Sequence, residues 1–220
     1  MKPDFETIRD NAEIRTYITQ ADASLLALGY TEHSFPHVMR CAHAAADLLT
    51  RLGYDQRQVE LARVAGYMHD IGNVVNRVDH AQSGAVMAFR ILDKMGMAPE
   101  DVAVVVTAIG NHDEGTACPV NAVAAALILA DKSDVRRSRV RNRATISFDI
   151  HDRVNYAVER SELKLDTEAK TLTLELTIDI GISSVMDYFE IFMGRMLLCR
   201  KAAEFFGLKF RMTINGSAVL

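Results

Sequence analysis

The stretch that decides the fold is Gly66-Tyr67-Met68-His69-Asp70-Ile71-Gly72-Asn73. An apolar run with helical spacing leads into it and ends on a histidine beside an aspartate. An imidazole and a carboxylate are costly to bury in an apolar core, but together they are good ligands for a divalent metal ion. We therefore expect ligand side chains from elsewhere in the chain to converge on His69 and Asp70.

The composition is that of a soluble globular protein. With 220 residues and 49% hydrophobic content, the chain can form one large domain or one core with a small appendage. The net charge of −4 does not indicate a general nucleic-acid or membrane-surface binder. The N-terminus has no apolar signal core, and no apolar run approaches the ~20 residues that span a membrane. The sequence therefore predicts a cytoplasmic protein.

The three cysteines give no sign of a disulfide framework or a cysteine metal site. Cys41, Cys118 and Cys199 are far apart, and none belongs to a Cys-x-x-Cys pair. This usage is typical of reduced thiols in a cytoplasmic protein.

Apolar residues recur at three- and four-residue spacing through the first 145 residues, which is typical of amphipathic helices. Glycine, proline and capping residues interrupt this pattern and mark where each helix is expected to begin or end. The predicted helices span residues 4–28, 34–53, 55–72, 80–96, 99–110 and 119–131.

The pattern changes near residue 145. Leucines alternate with polar residues over 163–165 and 172–178, which predicts a β-hairpin. A long amphipathic helix follows, beginning at Ser183 or Ser184, and residues 208–214 alternate again. The chain is therefore expected to be mainly α: a helical domain over 1–145, and a small α+β domain over 146–220 with a three-stranded antiparallel sheet and one long helix.

Several histidines and aspartates fall at predicted helix ends or beside short loops. Their imidazole and carboxylate groups suit ions such as Fe, Mn, Zn, Mg, Co or Ni, among which the residue types do not distinguish. Ligands from separate helices can form a metal site inside a helical bundle. The first candidate set is His37, His69, Asp70 and Asp131. His80, His112 and Asp113, with a shared Asp70, are the candidates for a second ion.

The order and local context of these residues resemble the HD superfamily of metal-dependent phosphohydrolases. The resemblance covers about residues 30–140. It is carried by His37-Val38-Met39-Arg40-Cys41, His69-Asp70-Ile71-Gly72 and Leu129-Ala130-Asp131-Lys132-Ser133-Asp134. It implies an HD-domain helical bundle that binds one or two divalent ions and hydrolyses a small phosphate ester, such as a nucleotide.

Two further segments are similar to the HD-GYP branch of that superfamily. His80-Ala81-Gln82-Ser83-Gly84 resembles its His-x-x-x-Gly helix start, and Asn111-His112-Asp113-Glu114-Gly115 resembles its His-His-Glu segment. The Gly-Tyr-Pro that names the branch is absent, since Gly115-Thr116-Ala117-Cys118-Pro119 stands in that place. This likeness supports extra metal ligands at His80 and His112, and does not support cleavage of cyclic dinucleotides.

The sequence leaves the first ligand open between His33 and His37, which lie four residues apart. His33-Ser34 resembles one form of the first-ligand motif, but the spacing to Arg40 favours His37. His33 is then expected to contact substrate or a third ion.

The remaining expected roles concern catalysis and substrate. Asp70 is expected to bridge two ions, and Asp113 or Glu114 to accept a proton. The candidates for contacting substrate phosphate are basic, because arginine and lysine bind phosphate oxygens well. They are Arg77, Lys132 and Arg136, with Lys132 also counted among the catalytic residues. We expect His43 and the second His-Asp pair, His151-Asp152, to lie outside the site.

Two other classes of function compete with hydrolysis. Some HD relatives use a di-iron centre to activate oxygen, and the ligand set would serve that chemistry. Alternatively, the protein is a non-catalytic module that senses a metal or nucleotide and passes the state to its C-terminal part. Short strands leave sheet edges that are often paired, so a homodimer is also expected.

Overall fold

The computed structural model describes residues 3–141, 144 and 149–219. The prediction of a mainly α fold is confirmed. The chain divides into two compact units, Met1–Asp131 and Lys132–Leu220. The predicted boundary at 145/146 falls outside the described residues and stays a prediction.

The first unit is helical. Its elements are α1 (Phe5–Arg9), α2 (Ala12–Ala27), α3 (Phe35–Arg51), α4 (Gln56–Met68), a 3-10 helix (Ile71–Val74), α5 (His80–Lys94), α6 (Pro99–Gly110) and α7 (Ala122–Lys132). All of α7 except its last residue, Lys132, belongs to this first unit. Within the described part of the chain, no helix is both long enough and apolar enough to cross a membrane.

Polar side chains set the starts of several helices. The predicted helix over 4–28 is wrong in one respect, because it is two helices that meet at Asp10 and Asn11. The Asn11 side chain accepts a hydrogen bond from the Ile14 amide at 3.1 Å, and so it caps α2. Asp55 caps α4 in the same way through the Gln58 amide.

Glycines allow α4 and its C-terminal turn to approach their neighbours closely. A Cβ at Gly66 would lie 2.7 Å from the Ala42 Cα on α3. A Cβ at Gly72 would lie 2.0 Å from the His80 carbonyl oxygen and 2.4 Å from the Gly84 nitrogen. The His-Asp turn is therefore held against the start of α5 by direct backbone contact.

Helix α7 is apolar on every side. Residues 124–129 are all completely buried, which is typical of a central helix. This helix carries Asp131 in its last turn.

The second unit begins at the last residue of α7 and contains a sheet with two further helices. Its elements are a 3-10 helix (Arg137–Arg139), α8 (Ile150–Ala157), β1 (Val158–Asp166), β2 (Thr171–Ile178), α9 (Val185–Phe205), β3 (Lys209–Ile214) and β4 (Ser217–Ala218). The strand order is β1-β2-β3-β4.

The predicted sheet of three antiparallel strands is wrong in strand number and direction. β1 and β2 form the expected antiparallel hairpin, with Leu163 opposite Leu174. β3 is parallel to β2, because the chain crosses through α9 before it re-enters the sheet. A fourth strand of two residues returns antiparallel after Asn215 and Gly216, which both have positive φ, as a type I′ turn requires.

Alternate side chains of β2 form the core of this second unit. Leu172, Leu174 and Ile178 are buried, as is Met212 on β3. Helix α9 begins at a capping box, in which Ser184 and Asp187 satisfy each other's backbone amides.

Candidate metal centre

All six predicted metal ligands lie together in the first unit. They come from the helices and helix ends that surround the His-Asp turn: His37 on α3, His69 at the end of α4, Asp70 before the 3-10 helix, His80 at the start of α5, His112 after α6, and Asp131 on α7. The four histidines are at most 2% exposed and Asp70 is 5% exposed, so the cluster is an interior feature.

The first candidate set converges as the sequence predicts. His37 Nε2 lies 3.5 Å from Asp70 Oδ2 and 3.4 Å from Asp131 Oδ1. His69 Nε2 lies 3.2 Å from Asp70 Oδ2 and 3.8 Å from Asp131 Oδ1. These distances favour His37 over His33 as the first ligand.

The second candidate set meets the other oxygen of the same aspartate. His80 Nε2 is 3.5 Å from Asp70 Oδ1 and 3.2 Å from His112 Nε2. It is also 3.9 Å from Asp113 Oδ1. Asp70 therefore presents Oδ2 to His37 and His69, and Oδ1 to His80, which is the placement that a bridging carboxylate needs.

Three of the histidines are held in the same way by the backbone. In each, the ring Nδ1 donates to the carbonyl oxygen of the residue three positions earlier, which leaves Nε2 directed at the cluster. The acceptors for His69, His80 and His112 are Gly66 at 2.8 Å, Arg77 at 3.0 Å and Ile109 at 2.6 Å. Metal-binding histidines are commonly oriented by such a bond on the second nitrogen.

Two buried polar atoms at the centre have no hydrogen bond among the described residues. They are His69 Nε2 and Asp70 Oδ2. Leaving a buried polar atom without a partner costs free energy, and a cation would satisfy both atoms at once. The ligand atoms of His69, Asp70 and His112 all lie within 4.8 Å of one another. The residues therefore fit a divalent ion with imidazole and carboxylate ligands.

The local charges keep Asp70 ionised. Burial alone would raise its pKa, but the neighbouring His69 and His37 rings outweigh burial and hold the pKa of this carboxyl well below its usual value. Burial lowers the pKa of His80, against the opposing effect of Asp70. An ionised carboxylate and neutral imidazoles are the protonation states that bind metals.

The structure adds two residues that sequence reasoning did not assign. Cys41 lies one turn after His37, and its buried Sγ belongs to a second possible ligand group with His37, His69 and Asp131. Asn73 donates through Nδ2 to Asp70 Oδ1 at 3.0 Å and to the Asp70 carbonyl at 2.9 Å. In the sequence, only the four-residue spacing from His37 could have pointed to Cys41. For Asn73, only its position directly after Gly72 could have done so.

Arg77 lies at the edge of the cluster. One terminal nitrogen is 3.3 Å from His80 Nε2 and 3.3 Å from Asn73 Oδ1, and the other is 3.9 Å from Asp113 Oδ1. The Asp113 side chain is 31% exposed, so this edge is open to solvent.

The other predicted site residues have different positions. Glu114 is half-buried beside Asp113 in the chain. His33 lies close to the cluster, with its ring 5.4 Å from that of His37, while its Nδ1 donates to the Thr31 carbonyl. Lys132 and Arg136 belong to the second unit, where the Arg136 Nε donates to Asp134 Oδ1 at 2.8 Å. Their roles toward substrate stay predictions.

His43, which we expected to lie outside the site, does not join the cluster. His43 is exposed on α3, six residues after His37. His151 is exposed on α8 in the second unit.

A helical unit with a buried histidine–aspartate cluster defines a candidate metal-binding protein. The model of the HD domain family matches residues 35–190, which is more than half of the chain. The chain therefore belongs to the HD domain family, and the resemblance seen in the sequence is confirmed.

Two other proteins are similar to this chain. An uncharacterized protein of Methanocaldococcus jannaschii is 24% identical, over 83% of this chain and 80% of its own length. A crystal structure described as a predicted HD superfamily hydrolase, from an uncultured Thermotogales bacterium, is 28% identical. The match covers 56% of this chain and 67% of that chain, with a TM-score of 0.46.

Proposed function

We propose that the protein is a metal-dependent phosphohydrolase that cleaves a phosphate ester of a small molecule such as a nucleotide. The observation that carries the proposal is a pair of buried atoms without a hydrogen bond, His69 Nε2 and Asp70 Oδ2, at the centre of a histidine–aspartate cluster. In a member of the HD domain family, this arrangement supports a site built to bind divalent cations.

The residues that would hold one or two ions are those predicted from the sequence. His37, His69, Asp70 and Asp131 form one set, and His80 and His112 share Asp70 as the other. A divalent ion in such a site lowers the pKa of a bound water and polarises a phosphoryl oxygen.

The residues at the solvent-facing edge have the chemistry to complete the reaction. Asp113 is near enough to His80 and Arg77 to act beside the cluster, and it or Glu114 accepts the proton of the attacking water. The Arg77 guanidinium lies beside the same carboxylate and neutralises phosphate charge as substrate binds. Lys132, Arg136 and His33 are further proposed contacts to substrate.

The experiment is a metal-dependent assay of the purified protein. Bound metal is removed with a chelator, each candidate divalent ion is returned singly, and hydrolysis of a chromogenic phosphodiester and of nucleoside phosphates is measured. We expect turnover only with metal, and its loss together with bound metal in His37→Ala. His43→Ala is the matched control, since it removes an exposed histidine from the same helix and should retain both metal and turnover.

Other outcomes would point to the competing functions. Full turnover by metal-free protein would reject the proposal. Oxygen consumption with a mixed-valent iron signal would favour an oxidative enzyme, and tight nucleotide binding without turnover would favour a sensing module. A homodimer and a cytoplasmic location remain part of the proposal.

A further inference from the structure

The long helix α9 has an exposed face that is unusually apolar at its centre. This outer face of α9 consists of Met186, Glu190, Met193, Leu197, Arg200 and Glu204, which recur at three-, four- and seven-residue spacing. Met186 is 75% exposed, Met193 46% and Leu197 43%. At 3.6 residues per turn these positions form one stripe along the helix.

The opposite face of the helix is already used by the second unit. Tyr188, Phe192, Met196 and Cys199 are buried there. A surface helix usually carries one apolar stripe toward its core and polar residues outward. Helix α9 has apolar residues on both sides, so its outer face is suited to contact another protein surface.

The charges on the outer face are arranged symmetrically about the level of residue 195. Met193 and Leu197 lie two residues to either side of that level, and Glu190 and Arg200 lie five residues to either side. The Arg195 side chain itself lies over the Phe192 ring, at 4.4 Å from its centroid. An acidic residue therefore stands on one side of the apolar centre and a basic residue stands on the other.

We propose that the outer face of α9 binds the same face of a second copy of this chain, with the two helices antiparallel. In that arrangement Met193 packs against the partner's Leu197, and Glu190 faces the partner's Arg200. The two-fold symmetry repeats both contacts, as in any isologous interface. A parallel pair would bring like charges together, so the charge order selects the antiparallel one.

Two local features are consistent with a close helix pair. A Cβ at Gly194 would have no other atom within 4 Å, so the backbone is accessible beside the apolar centre. Arg200 already approaches Glu204 at 3.9 Å on its own helix, but both side chains are more than half exposed. Exposed pairs of this kind are weak, so the Arg200 charge remains available to a partner carboxylate.

The size of the contact predicts a reversible dimer. A helix of 21 residues is about 30 Å long, and a single helix pair buries less than the ~1,200–2,000 Å² of a standard stable interface. The association should therefore depend on protein concentration and, because of its charge pairs, on ionic strength.

Charge reversal tests this interface directly. Sedimentation velocity of the full chain over a range of concentrations should show a monomer–dimer equilibrium. Glu190→Arg and Arg200→Glu should each raise the dissociation constant at least about tenfold, because each places like charges opposite one another. The double variant exchanges the two charges and should restore the wild-type value.

A control and a second variant keep the test decisive. Glu168→Arg makes the same charge change on the exposed turn between β1 and β2, outside the outer face of α9, and it should leave the equilibrium unchanged. Leu197→Gln should weaken the dimer without altering the helical circular dichroism signal. A wild-type protein that is monomeric throughout, single reversals without effect, or a double variant that fails to recover association would each overturn the proposal.

Discussion

The two units differ in the surroundings of one buried carboxylate each, Asp134 in the second unit and Asp70 in the first. In the second unit the buried carboxylate of Asp134 is paired with basic groups, because Arg136 donates to its Oδ1 at 2.8 Å and Arg139 lies 3.8 Å from its Oδ2. In the first unit, His69 Nε2 and Asp70 Oδ2 have no hydrogen bond within the described ranges. The polar groups around Asp134 pair with one another, whereas those around Asp70 form a cluster that could hold a metal ion.

This difference has a cost in stability. A buried polar atom without a partner typically destabilises a fold by about 1–3 kcal/mol. The first unit carries two such atoms at one point, and a bound cation would offset that cost. Among the described residues, the apolar core formed by β2 and α9 has no such pair of buried polar atoms, so the two units should respond differently to metal and to substitution.

The largest effect should follow from removing the charge of the shared carboxylate. Asp70→Asn keeps the shape of the side chain but loses the charge that faces three histidines, so both bound metal and turnover should fall. We expect a loss of turnover of roughly 10²–10³-fold or more, the scale for removing a main electrostatic group from an active site. Metal content by mass spectrometry and initial rates are the measurements.

Asp93→Asn is the matched control for that variant, since Asp93 is exposed on α5. It should leave metal content and rate unchanged. If the Asp70→Asn protein has a normal metal content, then the Asp70 carboxylate is not needed to bind metal, and the contrast with Asp134 fails.

Substitution in the apolar core of the second unit should affect stability instead. Leu174 is completely buried on β2, and Leu174→Ala should lower the free energy of unfolding by about 2–5 kcal/mol through lost burial and a residual cavity. Denaturant titration measures the change. Metal bound per folded molecule should stay the same, and a parallel loss of metal would show that the two units do not behave separately.

Metal removal should produce a stability change of similar or smaller size. A ligand that binds only the folded state at about a hundred times its dissociation constant stabilises it by about 2.7 kcal/mol. Returning metal to the chelated protein should therefore raise the melting temperature measured by calorimetry. The same addition to Asp70→Asn should give little change, and an equal rise in both proteins would indicate binding elsewhere.

The smallest of these effects concerns a residue that orients the carboxylate. Asn73→Ala removes the hydrogen bonds to the Asp70 side chain and carbonyl, and residues in that role typically change metal affinity by about 10–100-fold. Metal titration of the chelated protein measures it. Asn76→Ala is the comparison, since the Asn76 side chain accepts a hydrogen bond from the Val78 amide in an exposed turn. An equal loss of metal affinity in Asn76→Ala would argue against an orienting role for Asn73.

The sequence was sufficient to predict the parts that depend on local pattern. Helical spacing and the glycine after His69-Asp70 predicted the helices and placed the ligand candidates at their ends, where the structure brings them together. The alternation of apolar and polar residues over 163–178 predicted the hairpin. Such alternation does not indicate whether a further strand pairs parallel or antiparallel. The parallel pairing of β3 depends on the crossover through α9, and it was missed for that reason.

Tertiary contacts account for the other differences. The break at Asn11 depends on whether a polar side chain turns back to its own backbone, which periodicity does not reveal. The approach of Cys41 to His69 and Asp131 depends on how α3, α4 and α7 pack together.

The close backbone contact of Gly72 with His80 and Gly84 has a consequence for how this site can diversify. This contact holds the two ends of the segment between Gly72 and His80 at a fixed separation. Residues 75–79 form a loop between the 3-10 helix and α5, and Val75 and Val78 in this loop are exposed. The exposed side chains of Val75 and Val78 can therefore change without disturbing the hydrogen bonds that Asn73 makes to Asp70. Sequence variation at these exposed positions can therefore alter the surface beside the cluster while the histidine–aspartate cluster itself is retained.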